Sequence, residues 1–191
     1  FAKLVQQLID GTAAFDEGIA TAQLQVKNCT FRINRDVRFS KDKSPYKSNM
    51  GASLNQGGKK INQAGYYFHC EPGGNSFAIG GIYMPMPPDL AKIRQEIDYN
   101  FAEWQGIVAN ETFKNTFSNG IEGIESLSRP PKGYDESNPA IEFLKMKSYI
   151  CSIKLKDIDL QSDDLAKIVL QAFQTAKPLV DFLNRAIWLN D

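Results

Sequence analysis

The sequence predicts an α+β fold, a mainly antiparallel sheet built from hairpins and packed against N-terminal and C-terminal helices. Three observations carry this. Apolar residues recur at helical spacing near both ends of the chain. Period-two alternation is confined to the interior, and a Gly-rich turn joins the two clearest alternating runs. Strands do not alternate regularly with helices, which argues against a doubly wound parallel sheet. With 191 residues, 42% hydrophobic and 23% charged, the chain has an ordinary soluble composition, and residues 1–191 read as a single domain.

Leu4, Val5, Leu8 and Ile9 mark an amphipathic opening helix that is expected to end near Gly11. A short helical stretch follows over 15–24. Cys29, Phe31 and Ile33 then alternate with Thr30, Arg32 and Asn34, the pattern of a half-buried strand. Residues 35–50 form a polar loop, a strand covers 50–54, and Gly57-Gly58-Lys59-Lys60 makes a turn. Residues 66–71 and 76–84 flank the turn Pro72-Gly73-Gly74-Asn75 as a hairpin. Within its second strand, Gly80-Gly81 implies either a bulge or the close approach of another element.

After Pro87 and Pro88, the positions Leu90, Ile93 and Ile97 share a helical face, and the helix should continue, kinked, through Phe101 and Trp104. Residues 127–139 are a loop. Asn138 and Pro139 should cap and open a short helix reaching Met146. Tyr149, Cys151, Ile153 and Leu155 alternate as a strand. The last helix is the most strongly patterned, with Ser162 as its cap, Asp163 and Asp164 in its first turn, an apolar face from Leu165 to Ile187, and Pro178 placed to kink it.

Several chemistries are excluded by inventory. One histidine, His69, leaves no paired-histidine metal or acid–base design. There is no phosphate-binding G-x-x-x-x-G-K-[ST] loop, no dinucleotide G-x-G-x-x-G after a strand and no G-x-S-x-G elbow, so no metal and no cofactor are expected. Asp157 and Asp159 lack the glycine and glutamate of a calcium loop. Cys29, Cys70 and Cys151 are widely spaced and odd in number, and read as buried apolar residues of a reducing, cytoplasmic protein. The apolar stretch 77–88 is too short and too broken to span a bilayer, so no membrane partner is expected.

Charge is the first positive signal. Lys and Arg total 22, as do Asp and Glu, yet residues 27–60 hold nine basic side chains against Asp36 and Asp42, a surplus of seven. A basic segment on an otherwise acidic chain attracts anions. Its densest part contains Arg35, Arg38, Lys41, Lys43 and Lys47, interleaved with Phe39 and Tyr46. Arginine forks bind phosphate or carboxylate bidentately and lysine supplies a mobile charge. The second signal is Tyr67, His69 and Glu71, which strand alternation puts on one face. A phenol, an imidazole and a carboxylate side by side are suited to general acid–base work.

The segment Arg35-Asp36-Val37-Arg38-Phe39-Ser40-Lys41-Asp42-Lys43-Ser44-Pro45-Tyr46-Lys47 resembles the signature of a widespread uncharacterised family, a domain of unknown function. Residues 66–73, 81–85, 128–135 and 178–186 resemble its other blocks in the same order, so the likeness covers nearly the whole chain. Cys70 stands where an aliphatic residue is expected, which argues against a thiol role, and the opening helix is expected to be shortened. The resemblance implies that Arg35, Arg38, Lys43, Tyr46, Lys47, His69, Arg129 and Lys132 belong to a shared polar pattern. It supplies no activity.

Three readings follow. In the first, Arg35, Arg38, Lys43, Lys47, Arg129 and Lys132 bind a phosphorylated or carboxylated small molecule, Tyr46 orients it, and His69 moves a proton with Glu71 and Tyr67. In the second, the same loop grips nucleic-acid phosphates while Phe39 or Tyr46 stacks on bases, although a pI near 6.8 is low for such a domain. In the third, the loop is a structural brace or a protein contact and no small ligand binds.

Overall fold

Helical periodicity, a glycine-rich turn and β-alternation become fourteen segments of regular structure among the described residues. The structure is a computed structural model that describes residues 1–35, 38 and 43–188. Its helices are α1 (Ala2–Ala13), α2 (Glu17–Thr21), α3 (Val26–Cys29), α4 (Pro87–Tyr99), α5 (Phe101–Ala109), α6 (Glu111–Thr116), α7 (Ile141–Leu144), α8 (Asp157–Leu160) and α9 (Leu165–Trp188). Strands β1 (Met50–Leu54), β2 (Gly65–Cys70), β3 (Ser76–Ile82) and β4 (Tyr149–Leu155) form one antiparallel sheet in that order, and Gly58–Lys60 is a 3₁₀ turn. The chain is α+β, as its sequence predicts. Among the described residues no helix is long and apolar enough to cross a membrane.

The chain separates into two compact units. The first comprises Phe1–Ile61, Tyr66–Ala78 and Lys154–Gln174. On one face of its strands, Ala52, Leu54, Tyr66, Phe68 and Ala78 are buried together with Val5, Leu8 and Ile9 of α1 and Leu165, Val169 and Phe173 of α9. Tyr66 is the hub. Its ring packs against Phe173 with centroids 5.0 Å apart, and its hydroxyl donates to Asp16 Oδ2 at 2.7 Å. The other Asp16 oxygen accepts from Ile19 N at 3.2 Å, so one carboxylate both caps α2 and satisfies a buried phenol.

Two expectations for this unit are corrected. Helix α1 does not end near Gly11 but runs on to Ala13, because Gly11 is a packing notch: a Cβ there would lie 2.4 Å from Leu170 Cδ1. The strand expected over Cys29–Ile33 does not form. Residues 26–29 wind into α3, with Asn28 Oδ1 accepting from Gln25 N at 3.3 Å and Thr30 Oγ1 donating to Val26 O at 3.0 Å. Lys59 Nζ donates to the carbonyls of Lys27 and Thr30, a lysine closing a helix C-terminus. Beyond it, among the described residues, isolated bridges join Thr30 to Ala52 and Asn34 to Tyr46, and Phe31 and Ile33 are exposed.

The second unit comprises Asn62–Gly65, Ile79–Ile153 and the chain from Thr175 on. Its centre is Trp104, fully buried, with the rings of Phe143, Tyr149 and Phe182 at 5.3, 5.8 and 5.2 Å. Asn184 binds the backbone of Ala64 through both its amide atoms at 3.1 Å, as a neighbouring strand would. The Gly80-Gly81 alternatives resolve to close approach. A Cβ on Gly80 would meet Ala176 Cβ of α9 at 2.2 Å, and one on Gly81 (φ +124°) would meet Tyr149 O of β4 at 2.1 Å.

Smaller departures have local causes. Strand β3 stops at Ile82 because Met84 adopts φ 44° and donates its N–H to Ser148 Oγ at 2.9 Å. The helix after Pro88 breaks rather than kinks, at Asn100 between α4 and α5. Asn138 Oδ1 accepts from Ala140 N at 2.8 Å, but helical geometry starts only at Ile141 and stops at Leu144. Asp163 and Asp164 precede α9 rather than occupying its first turn, and α9 continues through Pro178.

Candidate functional site

The two faces of the first unit's strands differ in cover. Tyr66 and Phe68 are fully buried beneath helices, whereas Ser53, Tyr67, His69 and Phe77 on the opposite face are only half-buried. The expected trio is assembled there. Tyr67 Oη lies 3.1 Å from His69 Nδ1, and His69 Nε2 lies 3.2 Å from Glu71 Oε2. The other Glu71 oxygen accepts from Ser48 Oγ at 2.5 Å. His69 also stacks on Phe77, with centroids 4.5 Å apart and planes 4° from parallel.

Each member is placed by the sheet. Gly51 stands opposite His69 and Ser53 opposite Tyr67. The Tyr67 side chain leans across Gly51, where a Cβ would come within 2.5 Å of its hydroxyl, and that missing side chain lets it reach the imidazole. Phe31 covers Tyr67 edge-on, with centroids 6.1 Å apart. Ser76 Oγ exchanges hydrogen bonds with the Glu71 backbone, both at 2.9 Å, fixing the strand end that carries the carboxylate.

The electrostatics constrain the hydrogen-bond directions. An ionised Glu71 only accepts, so Nε2 carries a proton, and in the neutral ring Nδ1 is then the acceptor for the Tyr67 hydroxyl. The Ser48 and His69 hydrogen bonds hold the Glu71 carboxyl below its ordinary range. Burial pushes the Tyr67 phenol above its own, which keeps it protonated. A carboxylate orienting an imidazole that contacts a hydroxyl is the arrangement of base-assisted catalytic groups. Here the outer group is a phenol whose proton points at Nδ1, so the imidazole is placed to take that proton as the phenol oxygen receives one from elsewhere.

The basic loop enters through its two limbs. Arg35 N donates to Pro45 O at 2.9 Å, Lys47 N to Ile33 O at 2.8 Å, and Arg35 Nη1 to Ser44 Oγ at 3.0 Å. Around the Asn34–Tyr46 bridge, Ile33, Arg35 and Lys47 share one face of this short ladder, and Asn34 and Tyr46 the other. One residue past Lys47, Ser48 ties the returning limb to Glu71. Arg38, Lys43, Tyr46 and Lys47 are exposed and Arg35 is half-buried. Asp36, Lys41 and Asp42, with the stacking candidate Phe39, lie outside the described residues. Arg129 and Lys132 belong to the second unit, exposed on loop 127–139.

Ser48, Gly51, Phe31 and Phe77 had not stood out in the sequence. Ser48 is one serine in a polar loop, Phe31 lies outside the strands, and Gly51 and Phe77 matter only through pairing across the sheet. Of the cysteines, Cys29 and Cys151 are buried, while Cys70 is half-exposed rather than buried as expected. Burial raises all three thiols, Cys29 to about 11, so none is a ready nucleophile. Among the described residues no group of three His, Cys, Asp or Glu could hold a metal ion.

A four-stranded antiparallel sheet with a Tyr–His–Glu chain on its less covered face defines an α+β protein with a hydrogen-bonded acid–base cluster at the foot of a basic loop. The chain belongs to the family described as conserved hypothetical protein (DUF2461), whose model matches residues 1–182. No curated protein and no solved structure matches it.

Proposed function

We propose that this protein binds a phosphorylated or carboxylated small molecule on the Tyr67–His69–Glu71 face and transfers a proton to or from it. The observation that carries the reading is the unbroken chain Tyr67–His69–Glu71–Ser48, which joins an acid–base group to the basic loop. Lys47 and Arg35 flank the limb that ends at Ser48 and supply the countercharge, with Arg38 and Lys43 further along the loop. Tyr67 passes its proton to His69 Nδ1 as its oxygen takes one from the ligand, the reverse transfer returns it, and Glu71 orients the imidazole. Lys59 has a different job, since its ammonium is spent on two backbone carbonyls.

The test is thermal unfolding of the intact chain against phosphate, sugar phosphates, nucleotides, dicarboxylates and short RNA. A true ligand at 100 times its dissociation constant adds ~2.7 kcal/mol and raises Tm by roughly 5–10 °C. Arg38→Ala and Lys47→Ala should abolish that shift while leaving the ligand-free Tm within about 2 °C, because both side chains are exposed. A flat panel, or variants that bind as wild type does, would discard the reading.

A further inference from the structure

We infer that the ligand carries a planar ring as well as its anionic group, and that its chemical class is a nucleotide. This rests on the anion-site reading above and adds a claim about the uncharged part of the molecule. A site for a bare anion is made of N–H donors and cations and has no use for rings. This one is lined with them. Phe31, Tyr67, His69 and Phe77 form a connected aromatic surface, with Tyr67 and Phe77 centroids 6.0 Å apart and Phe31 and Tyr67 centroids 6.1 Å apart.

None of the four rings is fully buried, and Phe31 is 42% exposed beside Ile33 at 48%. On the other face of the same strands, Tyr66 and Phe68 are covered by helices and are 1% and 0% exposed. The fold therefore has the means to bury aromatic rings and leaves this set in partial contact with water. An apolar surface rimmed by polar groups marks a binding site, and here the rim carries cations besides the Glu71 carboxylate that is paired with His69. Arg32 is exposed between Phe31 and Ile33, Lys47 lies across the ladder from Ile33, and alternation in β4 puts Lys154 on the sheet face opposite buried Cys151 and Leu155. Rings for a base next to cations for a phosphate are the two halves of nucleotide recognition. Zero net charge over the chain favours a mononucleotide over a polymer.

Isothermal titration would compare adenosine and uridine monophosphates with ribose 5-phosphate, inorganic phosphate and a ten-nucleotide RNA. They would be titrated into wild type, Phe31→Ala, Phe31→Leu and Lys47→Ala. The expected result is that wild type binds the mononucleotides at least tenfold more tightly than ribose 5-phosphate. Phe31→Ala and Phe31→Leu should erase most of that margin, Phe31→Leu doing so while keeping the apolar bulk. Lys47→Ala should weaken both kinds of ligand. Equal affinity for mononucleotide and sugar phosphate in all four proteins overturns the ring inference and leaves the anion site standing. Binding of the RNA alone overturns it in favour of a nucleic-acid surface. No binding of any anion overturns both.

Discussion

Gly51 decides whether the acid–base chain exists. A Cβ on Gly51 would lie 2.5 Å from the Tyr67 hydroxyl that contacts His69, and an added methyl would displace the far end of that side chain rather than any backbone. Gly51→Ala should therefore fold with a stability change within about 1 kcal/mol and still lose the Tyr67–His69 hydrogen bond. His69 is the chain's lone histidine, so its imidazole nitrogen resonances report this directly. An unchanged Nδ1 shift in the variant would refute the arrangement. Glu71 gives a second test at this scale. Its folded pKa lies below the unfolded value, so its contribution to stability is complete above about pH 4.3 and is lost as pH falls through the folded pKa. Ser48 is the larger cause of that depression, so Ser48→Ala should move the Glu71 titration, followed by carboxyl carbon NMR, up toward the ordinary range. A midpoint that stays put would show that the Ser48 contact does not hold in solution.

The β2–β3 hairpin turn shows how one element is pinned. Gly73 and Gly74 take φ of 87° and 75°, and their N–H groups converge on the Asp157 carboxylate at 2.9 to 3.1 Å. Successive backbone N–H groups of this kind make an anion-binding hollow, filled here by the protein's own side chain at the start of α8. Asp157→Ala should cost about 1–2 kcal/mol, read from the midpoint of urea unfolding, and no loss would mean that the turn holds itself. At Gly80, a valine would drive into Ala176 and cost about 1–3 kcal/mol or more by overpacking. Elements of this kind divide what the sequence discloses from what it hides. Strand β4 and the apolar stripe of α9 were legible because apolar residues recur in each at a regular spacing, and β2 because a glycine-rich turn bounds it. Tyr67, His69 and Glu71 were legible as neighbours from strand alternation. The 26–33 stretch misled because α3 needs only one turn, fixed by Asn28 and by a lysine thirty-two residues from Lys27 in sequence. Gly51 and Phe77 depend on register between strands, which a single-strand period does not carry, and Ser48 and Phe31 lie outside the strands.

At the scale of the whole molecule the deciding quantity is how many charges a ligand meets. The chain is neutral, and residues 27–60 carry nine cations against two anions. Not all nine face a ligand, since Lys59 closes α3. A mononucleotide or sugar phosphate with about two negative charges meets only a few of the remainder. Its attraction is screened over a Debye length of about 10 Å at 0.1 M salt. Raising salt from about 50 to about 200 mM should then weaken such a ligand less than tenfold, whereas a nucleic acid making 6–10 phosphate contacts would lose about 10³–10⁵ in affinity over the same range. Titrations at those two salt concentrations separate the cases without any knowledge of the reaction. A loss of a few-fold fits a small anion gripped by Lys47 and its neighbours. A loss beyond a hundredfold would make the basic segment a polyanion surface, with Tyr67, His69 and Glu71 serving to hold the sheet face on which it rests.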